Sequence, residues 1–414
     1  MNKIVDAVII GGGPAGLAAA MSLKKNGIDK ILISEREDYL GGILMQCIHN
    51  GFGLHRFNEE LTGPEYAERY MNFVEEADIE VYKNSCTIDI IDDGDNKTVY
   101  MMSEVLGLIR VTTKVVIFAM GCRERNRGNI AIPGSRPAGV MTAGLAQKMV
   151  NRYGYMPGKE VVILGSGDIG LIMARRMTWE GAKVKAVVEV QPYPGGLNRN
   201  IVQCLNDFNI PLYLSHTVTN INGNNRITSV DIAPINEFRE PDIKEQFTLT
   251  CDTLLLSVGL IPENELSQKV GVILDNVTSG PLVDANLMTN IPGFFACGNV
   301  LHVHDLVDFV SEESETCGKN AADYIKSCLS LDKEIPLKPG HLVRYVLPTK
   351  VEAGKKALIS LRAIAPAEDV TLYIKAGDKV LFKKKHKKIF PSEMQRIVID
   401  EVPSDAETLD VLFE

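Results

Sequence analysis

The chain has eight cysteines, yet no two of them fall in a CxxC or CxxxxC pair. That scatter excludes a zinc site, an iron–sulfur ladder and a secreted disulfide framework. Reduced thiols in a cytoplasmic compartment are the expectation. Basic excess is missing as well. Against 53 Asp and Glu stand 44 Lys and Arg, a net charge of −9, which argues against a nucleic-acid partner. No apolar run reaches the ~18 residues that span a bilayer, so no transmembrane segment is expected. The opening MNKIVDAVIIGGG passes from a short apolar stretch straight into glycines and reads as a first β-strand, not a signal peptide. The remaining composition is that of a globular protein, 45% hydrophobic and 23% charged over 414 residues, long enough for two or three domains.

Glycine, by contrast, is plentiful and ordered. AVIIGGGPAGLAAAMSLKKNGIDKILISE, residues 7–35, aligns without a gap on VVILGSGDIGLIMARRMTWEGAKVKAVVE, residues 161–189. Gly11, Gly13 and Gly16 fall on Gly165, Gly167 and Gly170, Gly27 on Gly181, and Glu35 on Glu189. Each copy has the parts of a βαβ nucleotide unit. The first glycine of GxGxxG makes the tight turn, the second lets backbone approach a pyrophosphate, and the third lets helix pack on strand. The helix start then aims positive dipole and N–H groups at phosphate. Gly27 and Gly181 suit helix ends that need positive φ. Glu35 and Glu189 are placed to accept hydrogen bonds from a ribose 2′-hydroxyl. One GxGxxG is a weak signal. Two with the same spacing and the same closing acid point to two dinucleotides. Glu189 would repel a 2′-phosphate, and the following VQPYP holds no Arg or Lys, so NAD rather than NADP is expected at the second site.

The expected fold class is α/β: two Rossmann-like βαβ domains, the second inserted in the first, plus a small mainly-β C-terminal domain. The expected boundaries are 1–125 with 282–332 for the first domain, 126–281 for the second and 333–414 for the third.

These residues resemble the two-dinucleotide-domain flavoproteins, the pyridine nucleotide-disulfide oxidoreductase superfamily, over roughly residues 4–330. Four further segments carry the resemblance. VVIFAMG, residues 115–121, is similar to the strand that returns the chain beside the flavin. DTLLLSVGLIPENEL, residues 252–266, is similar to the segment closing the coenzyme domain. IPGFFACGNV, residues 291–300, resembles the second FAD motif. SEESETCGKNAADYI, residues 311–325, resembles the helix whose start faces the flavin, which places stabilising backbone N–H groups near Ser311 to Ser314. The resemblance implies FAD on the first unit, against Gly11, Gly13, Pro14, Ala15, Gly16, Glu35 and Arg36. It extends that site to Gly41, Gly42, Ala119, Gly121, Gly298 and Asn299. It implies NAD on the second unit, against Gly165, Gly167, Asp168, Ile169, Gly170, Glu189 and Gly259. Asn299 replaces the family's Asp; an acceptor is kept, a donor is added and a charge is lost.

Two narrower likenesses follow. GCRERNRGNIAIPGSRPAGVMTAGLAQKMV, residues 121–150, resembles the flavoprotein (alpha) subunits of proline dehydrogenase, sarcosine oxidase and hydrogen cyanide synthase. GGILMQCIHNGFG with LTGPEYAERY resembles FAD- and NAD-linked proteins that accompany glycerol-3-phosphate dehydrogenases of anaerobes. Those alpha subunits often continue into a cysteine-bearing iron–sulfur domain; the tail here has no cysteine.

The candidate catalytic residues are Cys47 with His49, and His302 with His304. Disulfide reductases of the superfamily carry two cysteines; here Cys47 stands alone, so it is either a packed residue beside the flavin or a single redox thiol helped by His49. His302, His304 and Asp305 follow the second FAD motif, where a His–Asp pair could move a proton. HxH alone is a weak metal signal, and no metal is expected. Arg123, Glu124 and Arg125 either hold pyrophosphate or an inter-domain ion pair, or form a solvated charged linker. In the tail, TLYIKAGDKVLF reads as a hairpin within an antiparallel β domain of structural or docking use. KKKHKK, residues 383–388, is either a contact for an acidic partner or a solvated edge that blocks strand pairing.

The expected function is hydride transfer between NAD(H) and FAD and on to, or from, a second substrate or a partner dehydrogenase or electron-transfer subunit, with a glycerol-3-phosphate link implied only by resemblance. The alternative is a stand-alone NADH-dependent peroxide or disulfide reductase using Cys47. A homo-oligomer stays open.

Overall fold

In a computed structural model, residues 1–329 and 333–414 are described. The chain divides into two compact units, Met1–Cys122 with Pro262–Glu414, and Arg123–Ile261.

The first unit is built on a five-stranded parallel sheet in the order Phe294–Ala296, Val115–Phe118, Ala7–Ile10, Ile31–Ser34, Glu80–Tyr82. Every residue of the three middle strands is buried. They read as unbroken apolar runs because both faces are covered. Helices Pro14–Lys25 and Val307–Ile325 lie close together; a Cβ on Gly318 would come 2.4 Å from the Ala19 carbonyl oxygen. The opening segment holds two strands where one was expected. Asn2–Ile4 pairs with Gly107–Thr113 in a separate four-stranded sheet, and only Ala7–Ile10 enters the nucleotide sheet.

Residues 262–281, expected in the second domain, pack in the first unit. Buried Asn264 shows why: its amide donates to the carbonyls of Ser279 at 2.9 Å and Val300 at 3.0 Å, tying the segment to the Gly298–Val300 turn.

From Glu334 onward the chain has a hydrophobic core of its own. Two sheets enclose it. One runs Lys350–Glu352, Glu334–Pro339, Leu409–Phe413, Ala367–Ala376, Lys379–Ile389; the other runs Val343–Leu347, Ala357–Ala363, Gln395–Ile399. All pairs are antiparallel except Glu334–Pro339 with Leu409–Phe413. The hairpin is present, with Gly377 at φ +56° in its turn. KKKHKK lies on the edge strand Lys379–Ile389, where lysine discourages pairing with another chain. The boundary expected at residue 332 lies outside the described residues.

The second unit repeats the plan. Its parallel sheet runs Val140–Thr142, Thr253–Leu256, Glu160–Leu164, Lys183–Glu189, Leu212–Leu214. An antiparallel sheet of His216–Gly223, Ile227–Pro234 and Phe247–Thr250 joins it. Helix Asp168–Trp179 begins and ends at the positions equivalent to Pro14–Lys25. Glu124 accepts a 2.8 Å hydrogen bond from the Gly144 amide, so this acid caps the start of helix Ala143–Tyr153.

Candidate functional site

The first glycine loop is set by backbone contact. Gly11 has φ +109°, and a Cβ on it would lie 2.4 Å from the Ala119 carbonyl oxygen. A Cβ on Gly16 would lie 1.9 Å from the Gly11 carbonyl oxygen. Gly13 ends the loop, and helix Pro14–Lys25 begins with no side-chain cap. The nearest atom to a Cβ on Gly13 would be Gly42 Cα, at 3.9 Å, so the loop has open room at the uncapped helix start. Room, uncapped amides and a positive dipole are what a dinucleotide pyrophosphate requires, so these residues fit FAD. Arg36 is exposed beside the loop, and Gly121, at φ +72°, has nothing within 4 Å of its Cβ position.

Glu35 is buried. Its Oε2 accepts from the Gly12 amide at 2.7 Å and its Oε1 from the Glu37 amide at 2.8 Å. Glu189 does the same one repeat later. Its Oε2 accepts from the Ser166 amide at 2.8 Å and hydroxyl at 2.6 Å, and its Oε1 from the Gln191 amide at 2.9 Å. The amide donors are equivalent residues: Gly12 matches Ser166, and Glu37 matches Gln191. Each acid therefore holds its own glycine loop, and each Oε1 keeps acceptor capacity. In the second loop Gly165 has φ +97°, and a Cβ on it would lie 2.1 Å from the Ser257 carbonyl oxygen. Gly167 precedes helix Asp168–Trp179, again without a side-chain cap. Ile169 and Gly170 lie in that helix's first turn, and Gly259 has φ +101°.

The repeat does not stop at the acids. EREDYLGGI, residues 35–43, continues in register against EVQPYPGGL, residues 189–197, placing Tyr39, Gly41 and Gly42 on Tyr193, Gly195 and Gly196. Both Gly-Gly turns fold back on their glycine loops. The Gly41 amide donates to the Gly12 carbonyl at 2.8 Å, and the Gly195 amide donates to the Ser166 hydroxyl at 2.7 Å. Asp168 Oδ1 then accepts from the Leu197 amide at 2.9 Å and the Asn200 side chain at 2.6 Å. Gly195 and Gly196 thus pack against the second glycine loop, a contact that the sequence expectations lacked although gap-free alignment reaches both glycines.

Cys47 follows the short 3₁₀ turn Gly42–Gln46. Its Sγ donates to the Ile43 carbonyl at 3.3 Å, and burial pushes the thiol up to about 12. A thiol held protonated is a poor nucleophile. The His49 ring sits 5.1 Å from Phe52. Replacing Cys47 with Ser is expected to leave the rate of flavin reduction by NADH within about twofold, measured by stopped-flow absorbance; a loss beyond tenfold would restore the thiol as catalyst.

The second flavin motif joins the first through Gly298, at φ +74°, where a Cβ would lie 2.6 Å from the Ala15 Cβ. Asn299 Oδ1 accepts from the His304 amide at 3.0 Å and lies 3.3 Å from His304 Nδ1, while its Nδ2 faces Cys122 Sγ at 3.7 Å. The Asn in place of Asp therefore directs its donor at a sulfur.

His302 and His304 are brought together, with rings 4.2 Å apart. Their acidic partner is not Asp305, which pairs with Arg362 and accepts from the Met394 amide at 2.6 Å. It is Glu313, whose Oε2 lies 2.8 Å from His302 Nε2 and 3.3 Å from His304 Nε2, and whose Oε1 accepts from the Gly298 amide at 2.7 Å. Asp305 lies next to the histidines in sequence, but Arg362 and the Met394 amide claim it; Glu313 reaches the two rings from the following helix. Burial alone would raise the Glu313 carboxyl, yet His304 and His302 outweigh it and hold it well below the usual carboxylate range. Burial, and then His304, lower the His302 pKa. Among the described residues, these three side chains also have the spacing of a metal-donor set, within 4.8 Å of one another. Each Nε2 already faces the carboxylate, so the cluster is bonded within itself.

The helix expected from Ser311 starts at Val307, a turn earlier. Ser311 to Ser314 lie inside it, where backbone N–H groups are spent on the helix ladder. The first turn instead carries Asp308, whose carboxylate accepts from the amides of Gly53 at 3.2 Å and Arg56 at 2.8 Å.

Two glycine-loop nucleotide units in one chain define a dinucleotide-dependent oxidoreductase. The profile of the pyridine nucleotide-disulphide oxidoreductase family matches residues 5–318, and the chain belongs to that family, whose members use FAD and NAD(P)H. Hydrogen cyanide synthase subunit HcnB of Pseudomonas aeruginosa is 26% identical over 287 residues, covering 64% of this chain and 59% of HcnB. Thioredoxin reductase of Listeria innocua is 24% identical over 333 residues, covering 78% of this chain and 95% of the reductase. The crystal structure of T. acidophilum thioredoxin reductase matches 78% of this chain and 99% of its own with a TM-score of 0.63 at 22% identity, a likeness of fold. The chain spans only about three fifths of HcnB (59%) and of an opine oxidase subunit from Agrobacterium tumefaciens (62%). Among the described residues, no helix is long and apolar enough to cross a membrane.

Proposed function

We propose that the chain passes hydride between NAD(H) on its second unit and FAD on its first, and exchanges electrons with a second substrate through a partner subunit. The observation that carries this reading is the matched pair of acids, Glu35 and Glu189, each fastened to an uncapped glycine loop through equivalent amides. A single such loop would fit any nucleotide-binding domain. Two, with nothing eroded in the second, fit a chain that holds two dinucleotides at once.

The roles divide as follows. Gly11, Gly13 and the start of helix Pro14–Lys25 receive the FAD pyrophosphate, Glu35 accepts its ribose hydroxyl, and Gly298 and Asn299 border the rest of it. Gly165, Gly167 and the start of helix Asp168–Trp179 receive the coenzyme pyrophosphate, with Gly195 and Gly196 as the facing wall. Glu189 accepts the ribose 2′-hydroxyl and repels a 2′-phosphate, which selects NAD. When bound, the flavin supplies the two-electron chemistry. His302, His304 and Glu313 keep a proton-bearing cluster beside the Gly298–Asn299 loop, placed to manage the proton that accompanies each hydride.

Membership of a dehydrogenase complex is supported by two relatives that are themselves subunits, of hydrogen cyanide synthase and of opine oxidase. A glycerol-3-phosphate link rests on the resemblance of residues 41–53 and 61–70 alone. The stand-alone thiol reading is disfavoured by the raised Cys47 thiol.

The test is mild purification from the native source, followed by anaerobic addition of glycerol 3-phosphate and of NADH to the flavin-containing fraction. Flavin bleaching by NADH, with a second polypeptide co-eluting, is the expected result. Peroxide reduction that disappears on thiol alkylation would favour the alternative.

A further inference from the structure

The C-terminal β domain reaches the flavin side of the first unit through a small set of buried polar side chains. Tyr345, on strand Val343–Leu347, is buried, and its hydroxyl lies 3.3 Å from His302 Nδ1. Its cross-strand partner in the next strand is Arg362. That guanidinium donates to the Val303 carbonyl at 3.0 Å, to the Pro391 carbonyl at 3.1 Å and to Asp305. A third residue of the domain, Arg396, lies 4.1 Å from the centre of the Phe309 ring and 2.9 Å from the Glu312 carboxylate, both on helix Val307–Ile325.

Proton positions follow from the partners. Burial lowers the His302 pKa from its ordinary value and favours the ring with one proton. Nε2 faces the Glu313 carboxylate at 2.8 Å and must donate; Nδ1 is then an acceptor. The only donor that the described contacts give it is the Tyr345 hydroxyl, which burial keeps protonated. Glu313 in turn accepts from the Gly298 amide. Tyr345 to His302 to Glu313, with Gly298 donating from the far side, is one ordered set of hydrogen bonds between the β domain and the backbone of the second flavin motif.

We propose that the C-terminal β domain is a working part of the flavin site, with Tyr345 acting as a positioning residue that fixes His302 and Glu313 and thereby holds the Gly298–Asn299 loop in its FAD-binding shape. This goes beyond a docking or structural module for the tail, and it rests on the reading above that FAD lies against that loop. Removing the hydroxyl leaves His302 Nδ1 buried without a donor while Glu313 still holds the proton on Nε2, so the ring loses the contact that fixes its place and loosens the carboxylate that the Gly298 amide needs.

The test uses the full FAD-loaded chain as wild type, Tyr345→Phe and, as a control on the exposed outer face of the same domain, Val398→Thr. Two quantities are read: the ¹⁵N shifts of the His302 ring and the dissociation constant for FAD. The expected wild-type spectrum shows a proton on Nε2. In Tyr345→Phe the proton should stay on Nε2, the Nδ1 resonance should shift as its hydrogen bond is lost, and FAD should bind about tenfold more weakly, while Val398→Thr changes neither. A wild-type proton on Nδ1 overturns the proposal even if Tyr345→Phe does not fold. A shifted Nδ1 resonance with FAD affinity within twofold of wild type overturns it too, because a merely structural hydroxyl would behave that way. A wild-type chain that binds no FAD sinks the flavin reading itself, and this proposal with it.

Discussion

Gly165→Ala is expected to slow flavin reduction by NADH at least ~100-fold while FAD stays bound and dithionite still bleaches it. The added methyl would sit 2.1 Å from the Ser257 carbonyl oxygen, on a residue at φ +97°. Both faults act together. The backbone conformation costs an L-residue about 1–2 kcal/mol, and the overlap with main chain cannot be relieved by turning a side chain. The loop must move away from the Ser257 backbone, and helix Asp168–Trp179 moves with it. A displacement worth ~2.7 kcal/mol at the coenzyme pyrophosphate is already a hundredfold loss. The lesion lies inside the second unit, whose core is separate, so the first unit should keep its flavin. Anaerobic stopped-flow with NADH and with dithionite separates the two effects.

Glu313→Gln is expected to remove about 3 kcal/mol of stability at pH 7, a fall of ~6–10 °C in the first thermal transition. Wild-type Oε2 accepts from His302 and Oε1 from Gly298. A glutamine amide can satisfy only one of them; its NH₂ then meets an N–H donor at close range. The effect depends on pH in a defined direction. The Glu313 carboxyl is held below its ordinary value in the fold, so the stability it contributes is present above its ordinary unfolded value and is lost as pH falls through that value toward the folded one. The gap between wild type and variant should therefore be widest at neutral pH and close in acid. Melting curves from pH 7 down to about 3.5 check both the size and the slope.

Much of this molecule is legible in its sequence, because the parts that matter most are local. A strand, a glycine turn and a helix within 30 residues specify themselves, and duplication repeats the message; even the Gly41–Gly42 and Gly195–Gly196 turns stand in the same register. The β-rich tail showed through its alternation and its hairpin glycine. What sequence order hides is pairing between distant residues. Asp305 is adjacent to His304, yet it answers Arg362 in another domain, while Glu313 supplies the carboxylate. Tyr345 gives no hint of its partner, because a tyrosine on a strand is ordinary and only the docking of the sheet brings it to His302. The helix that begins at Val307 was displaced for a similar reason: its first turn is fixed by Asp308 holding Gly53 and Arg56, not by a local cap. At Cys47 the residue type invites redox chemistry, whereas desolvation raises the thiol and disfavours the thiolate that such chemistry needs.

The most direct measurement is the anaerobic rate of flavin reduction by NADH and by NADPH at equal concentration, followed by absorbance in a stopped-flow instrument. With Glu189 fastened in the second glycine loop, NADH should bleach the flavin and do so at least about tenfold faster than NADPH. No bleaching by either coenzyme, or faster bleaching by NADPH, would contradict the assignment of the two loops.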